Sequence, residues 1–271
     1  MNKLDYSNPI KIEKGIYWIG YLDRDFSLHC NPYIIIEGDE AVVIDGGSRT
    51  DFSTVMMKIL QTGINPKNIT HLIYHHYDPD LCGSIPDFEE IINNENLKIL
   101  SHSTNNVFIK YYGGRTKREC ISTLNYEYTF KTGRKLKFFM TPYSHSQGSF
   151  ITYDEQTKTL FTSDIFGSYG KRWELYLELT KHCDKCTSYT NCPLGKKECD
   201  IEGILEFHRK IMTSKIALDY ALDIIAKLDV NIIAPQHGSI INDRNIINTI
   251  IKKLKEEKNI GIDRILNGER L

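Results

Sequence analysis

The run HHYDPDLCGS, His75 to Ser84, restricts the chain more than any other segment. It sets two imidazoles and two carboxylates within six residues, directly after the apolar segment HLIY. Crowded carboxylates repel one another, and a bound cation removes that cost. A second run, CDKCTSYTNCPLGKKEC, places Cys183, Cys186, Cys192 and Cys199 in one polar loop. Clustered thiols oxidise unless something holds them. The two runs together predict a metalloprotein with two separate centres.

The bulk composition fits an ordinary folded chain. Among 271 residues, 41% are hydrophobic and 25% charged, enough apolar material for a core. A net charge of −1 gives no field that would gather nucleic acid or an anionic membrane. The opening MNKLDYSNPIKIEKG lacks the apolar stretch of a signal peptide. Apolar runs elsewhere are of strand length, too short to cross a bilayer. A cytoplasmic protein is expected. In a reducing compartment the seven cysteines argue for a metal or cluster rather than a disulfide framework.

Periodicity predicts strands in GIYWIGYL, NPYIIIEG, EAVVIDGG, HLIYHH, KILSHS, KLKFFMTPYSH and NIIAPQHG. SFITYD and TLFTSD read as a hairpin around EQTK. Helices are expected over SRTDFSTVMMKILQTG, with Val55, Ile59 and Leu60 on one face, and over IPDFEEIINN and NNVFIKYYGG. One long helix is expected from about Ile204 to Leu228, and an amphipathic one over DRNIINTIIKKLKEEKN with a solvated charged face. Asp78, Asp80, His145, Asp164 and His237 each fall at or just beyond the C-terminal end of a predicted strand, the edge where ligands gather.

With His76, these residues make a set of three imidazoles and three carboxylates. Nitrogen and oxygen donors without thiolate suit iron or manganese, and also zinc. Such a set can hold two cations about 3.5–4 Å apart. His71, His75 and His102, by contrast, read as surface or capping residues.

The runs HLIYHHYDPDLCGSIP, TPYSHSQGSFITYD, LFTSDIFGS and APQHGSI resemble, in order, the metallo-β-lactamase superfamily. Within it they are most similar to the β-lactamase-like domain of flavodiiron proteins and to stand-alone oxygen-binding di-iron proteins. The resemblance implies an α/β fold, an αββα sandwich of metallo-β-lactamase type, as a single domain over residues 1–271. A Cys-rich insertion interrupts it at about 181–201, and no flavodoxin domain, hence no flavin, is expected. It further implies two iron ions (alternatively Zn or Mn), the first held by His76, Asp78 and His145, the second by Asp80 and His237, with Asp164 bridging. O₂ or NO would be the ligand, an electron-donor protein the partner and a homodimer one arrangement. The chain departs from the superfamily's usual His-x-His-x-Asp-His at Asp78 and at Leu81, where the last histidine would stand. Leu81 leaves the second metal short of a side chain, which either opens a position to O₂ or NO or is made good by another residue such as His29 or Tyr143.

The cysteine spacing, C-x₂-C-x₅-C-x₆-C, differs from a zinc ribbon, and Cys192 precedes Pro193 as the last cysteine of ferredoxin motifs often does. A [4Fe–4S] cluster is expected, with zinc or free redox thiols as alternatives. His182 reads as solvated, and Cys30, Cys82 and Cys120 as core or unpaired cysteines, with a supporting role near the metal open to Cys82. The functional expectation is a di-iron protein that binds or reduces O₂ or NO, with the cluster as electron relay. The alternatives are an O₂ or redox sensor and a metal-dependent hydrolase of phosphodiesterase type. For the last, Arg115, Lys117 and Arg118 are the nearby basic residues, otherwise read as a solvated loop.

Overall fold

The computed structural model describes residues 4–21, 28–170, 173–186, 192 and 198–268. Strands β1 (Ile10–Glu13), β2 (Ile16–Trp18), β3 (Tyr33–Glu37) and β4 (Glu40–Ile44) form an antiparallel meander. Helix α1 (Phe52–Gln61) then carries the chain across to β5 (Ile69–Ile73), which lies parallel to β4. The helices α2 (Pro79–Cys82) and α3 (Ile85–Ile92) precede β6 (Lys98–Ser101), and α4 (Ser103–Ile109) precedes β7 (Lys117–Cys120), all in one sheet of order β1 to β7.

The second sheet holds β8 (Glu127–Thr129), β9 (Lys135–Met140), β10 (Phe150–Asp154), β11 (Thr159–Phe161) and β12 (Ile232–Ala234), in the order β12-β11-β10-β9-β8. Between β11 and β12 come α5 (Lys181–Asp184), α6 (Asp200–Ile211) and α7 (Lys215–Ile225). Helices α8 (Arg244–Glu256) and α9 (Ile262–Leu266) follow. Among the described residues no helix is long and apolar enough to cross a membrane.

Three apolar layers show why the sequence stacks this way. Ile35, Val42, Ile44, Ile73 and Leu100 meet Phe138, Phe150, Phe161 and Ala234 between the sheets. The alternate residues Ile34, Val43 and Leu72 face Val55, Ile59, Phe88 and Ile92 of α1 and α3. On the far side, Ile151, Leu160 and Ile233 meet Leu205, Leu218, Leu222 and Ile250 of α6 to α8. The result is the expected αββα sandwich.

Some elements differ from the sequence expectation. The long helix breaks at Met212, which is extended, and Ser214 starts α7 by accepting from the Ala217 N–H at 3.3 Å. Leu60 does not share the buried face of Val55 and Ile59: it is exposed. Arg115 to Arg118 do not form a loop alone, since Lys117 and Arg118 belong to edge strand β7. The charged side of α8 is not fully solvated either, because Lys253 is buried and donates through Nζ to the Cys186 carbonyl oxygen at 2.8 Å.

Register explains the rim. Phe161 pairs with Ala234 across the parallel strands β11 and β12, and Asp164 and His237 each follow three residues later. Ile44 pairs with Ile73 in β4 and β5, and His76 follows Ile73 by three. Equal overhangs from strands pointing the same way bring distant side chains to one edge.

Candidate di-metal site

Asp164 is the centre of that edge. Its Oδ2 lies 3.0 Å from His145 Nε2, and its Oδ1 lies 4.0 Å from His76 Nε2 and 3.8 Å from His237 Nε2. The side chain is only 3% exposed, and Oδ1 has no hydrogen-bond partner. A buried carboxylate oxygen without a partner costs several kcal/mol unless a cation sits against it.

Two groups flank it. On one side, Asp78 Oδ2 stands 3.3 Å from His145 Nε2 and 3.7 Å from His76 Nε2. On the other, Asp80 Oδ2 stands 3.2 Å from His237 Nε2. The ligand atoms of His76, Asp78 and His145 lie within 4.8 Å of one another, and so do those of Cys30, Asp80 and His237. The structure thus brings together all six residues singled out from the sequence. It adds Cys30, expected to be a core or unpaired cysteine, whose Sγ is 3.9 Å from Asp80 Oδ2.

Local structure releases these groups. Pro79 starts α2 with its fixed φ, and Asp78 takes the N-cap position without making a capping bond, so its carboxylate remains free to face His145. Neighbours then set the imidazoles. His237 Nδ1 is 2.9 Å from the His29 carbonyl oxygen, which can only accept, so Nδ1 donates there and Nε2 is the nitrogen left to face the acidic side. His76 Nδ1 is 3.0 Å from Ser163 Oγ.

Opposite charges face one another across the rim. Burial opposes a charged His145, but its contacts with Asp164 and Asp78 prevail and push it up to about 10. Burial also opposes ionised Asp80 and Asp164, yet the imidazoles hold both below the usual carboxylate range. The donor set, imidazole and carboxylate, fits iron, manganese or zinc.

Several supporting residues carry no sequence signal. Asn31 accepts from Trp18 Nε1 at 2.9 Å and donates to the Pro235 and Gly238 carbonyl oxygens, fixing the turn that carries His237. Gln236 donates to Asp80 Oδ2 at 3.2 Å. Asn105 donates to the His75 and Gly148 carbonyl oxygens, joining the two segments that carry His76 and His145. His208 lies in α6, where its Nε2 accepts from the Phe166 N–H at 3.1 Å, close behind Asp164.

The other sequence candidates fall elsewhere. His75, read as a surface or capping residue, is instead fully buried; its Nδ1 is 2.6 Å from Asp45 Oδ2 and its Nε2 2.8 Å from Thr152 Oγ1. His102 accepts from the Thr104 N–H at the start of α4, as a capping residue would. His71 packs edge-on against Tyr128. Cys82 is buried and its Sγ lies 3.5 Å from the His76 carbonyl oxygen. Of the two candidates to replace the missing histidine, His29 stacks on Trp173 and is not in either group of ligand atoms, and Tyr143 is half exposed. Leu81 is fully buried among the apolar residues behind β4 and β5.

Cys183, Cys186, Cys192 and Cys199 are half-buried and none is in a disulfide. Cys183 and Cys199 pack against the helical layer, and Cys199 stands at the N-cap of α6. Residues 187–191 and 193–197 of the expected insertion, Pro193 included, lie outside the described residues.

Comparison with known proteins agrees with this architecture. The fold is similar to rubredoxin oxygen:oxidoreductase from Desulfovibrio gigas, with TM-score 0.75 and 19% identity over 92% of this chain and 61% of that one. It is similar also to the chemotaxis sensor ODP from T. denticola, with TM-score 0.74 and 22% identity over 96% of this chain and 97% of that one. A nitric oxide reductase from Moorella thermoacetica is 24% identical over 259 residues, 86% of this chain and 58% of the relative. The chain spans between about a third and three-fifths of the length of the first curated relatives it matches. The family described as ODP family beta lactamase matches residues 28–238, a stretch that contains every side chain gathered at the rim. The chain belongs to that family.

Proposed function

We propose that the rim holds two iron ions and that the chain binds or reduces O₂ or NO there. The observation that carries this is the position of Asp164, a buried carboxylate with an unpartnered oxygen between two groups of ligand atoms. His76, Asp78 and His145 would hold the first ion, Asp80 and His237 the second, and Asp164 would bridge them. A ferrous pair, when bound, supplies electrons and open coordination positions for a diatomic gas. The protein's part is orientation and exclusion of water. Asn31, Ser163 and the His29 carbonyl oxygen hold the imidazoles in position, and Asp164 and His237 are nearly fully buried. The family, together with the oxygen- and nitric-oxide-linked names of its relatives, supports the choice of gas.

The relay reading adds a [4Fe–4S] cluster on Cys183, Cys186, Cys192 and Cys199, fed by an electron-donor protein. What supports it is α6. Cys199 stands at its start, and farther along Phe207 packs on the His237 ring at 5.5 Å while His208 bonds the main chain behind Asp164. One rigid element therefore joins the cysteine loop to the rim.

A sensor is the second reading, favoured by a neighbour that this chain covers almost end to end and that is itself named a chemotaxis sensor. Anaerobic purification followed by iron and sulfide analysis tests the centres. About six irons and four sulfides per chain are expected. Two irons without sulfide would remove the relay, and an iron-free rim after loading would remove the proposal. Continuous O₂ or NO consumption with a reductant identifies a reductase, and a stable adduct without turnover a sensor.

A further inference from the structure

Leu81 cannot serve the second cation: it has no donor atom, and its side chain is fully buried in the apolar layer behind the sheet. That leaves Asp80, His237 and the shared Asp164 on that side, one side chain fewer than the motif usually supplies. A thiol stands at the gap. Cys30 Sγ lies 3.9 Å from Asp80 Oδ2, the oxygen that faces His237 Nε2, and the ligand atoms of Cys30, Asp80 and His237 all lie within 4.8 Å of one another. Its main chain pairs antiparallel with that of His237, so the two residues are tied together rather than adjacent by chance. The Asn31 N–H bonds the Gln236 carbonyl oxygen at 2.8 Å and reinforces the same junction. Independently, Asp164 Oδ1 is buried, without a hydrogen-bond partner, and 3.8 Å from His237 Nε2 on the same side.

We propose that Cys30 is a thiolate ligand of the second cation, taking the coordination position for which Leu81 has no donor atom. The inference rests on the two-cation reading above. On binding, the S–H proton passes to solvent, a sulfur–metal bond forms and nothing is oxidised or reduced. The two positions then differ in kind. The first has imidazole and carboxylate donors alone, whereas the second includes sulfur and prefers softer cations such as zinc, cobalt and cadmium. The added negative charge also places more electron density on the second metal than on the first.

Cadmium-113 NMR of the full chain loaded with Cd²⁺ tests this without any turnover assay. Each thiolate moves the resonance downfield, so an all-sulfur site in the cysteine loop, a site with one sulfur and a nitrogen–oxygen site are separated in one spectrum. The expected result is two rim resonances, one in the nitrogen–oxygen range and one shifted downfield. Cys30→Ser should move only the second upfield and weaken that ion's binding by at least about tenfold, the low end of what even outer partners of a metal site contribute. Two nitrogen–oxygen resonances unaffected by Cys30→Ser would overturn the Cys30 assignment and leave the two-cation reading standing. No rim resonance at all would overturn both. Should Cys30→Ser fail to fold, peptide-resolved alkylation of the wild type decides the matter: protection of Cys30 on adding Cd²⁺ supports the bond, and equal labelling with and without Cd²⁺ refutes it.

Discussion

His237 donates through Nδ1 to the carbonyl oxygen of His29 at 2.9 Å, and this one bond aims its other nitrogen at Asp80 and Asp164. The N-terminal meander thereby orients a histidine that follows the last strand of the other sheet. The rim depends on both sheets packing together, and its parts can be tested separately.

Asp164→Asn should abolish two-cation binding while leaving the apo protein folded. The amide keeps the shape but removes the charge that faces three imidazoles. Wild type should gain about 2.7 kcal/mol of stability at a cation concentration of 100 times Kd, and the variant little of it. Thermal melts with and without metal, alongside metal analysis, measure the difference. Equal stabilisation of both proteins would contradict the bridging role.

Leu81→His should not restore a ligand. The side chain lies in the apolar layer, so an imidazole there loses packing and buries polar nitrogens, at a cost of about 2–4 kcal/mol. Denaturant unfolding should show the loss, and cation affinity should not rise. A tighter second cation in this variant would mean that the residue can turn toward the rim.

Asp45→Ala should destabilise the protein by about 3 kcal/mol and leave the metal count at two. Asp45 binds His75 through both its oxygens, one to the main-chain N–H at 3.0 Å and one to Nδ1 at 2.6 Å. Removing it strands buried polar groups. Loss of stability with unchanged stoichiometry separates this structural pair from the neighbouring His76.

His208 provides a pH dependence with a definite sign. Burial, the largest cause, pulls its pKa from 6.5 to about 4, and the bond from Nδ1 to the Ile204 carbonyl oxygen offsets only part of that. Between these values the unfolded chain carries the proton and the folded chain does not, so stability falls as pH drops from about 6.5 toward 4 and is fully present above that window. His208→Leu should flatten this part of the stability–pH curve. It should also lower stability at pH 7 by about 1–3 kcal/mol, because the Phe166 N–H loses its acceptor. Urea unfolding across the window reads both effects, and an unchanged slope in the variant would assign the acid sensitivity to another group.

Much of the architecture was legible before the structure. Short β-branched and aromatic runs such as YIII and EAVVI, bounded by turn residues, announced paired strands because strand preference and turn chemistry are local properties. The break at Met212 was hidden, since Ile211 and Leu218 fit a helical period on either side of it and only Ser214 signals a new start.

For the site, the sequence by itself determined the donor chemistry and its placement: which residues carry imidazole or carboxylate, and that they follow strands. Those facts depend on residue type and nearest neighbours. Only the tertiary structure decided that Leu81 turns into the core, that His75 pairs with Asp45, and that Cys30 and Gln236 stand beside Asp80. These are contacts between segments remote in the chain, set by how two twisted sheets pack, and a buried polar group is defined by neighbours that no local pattern records.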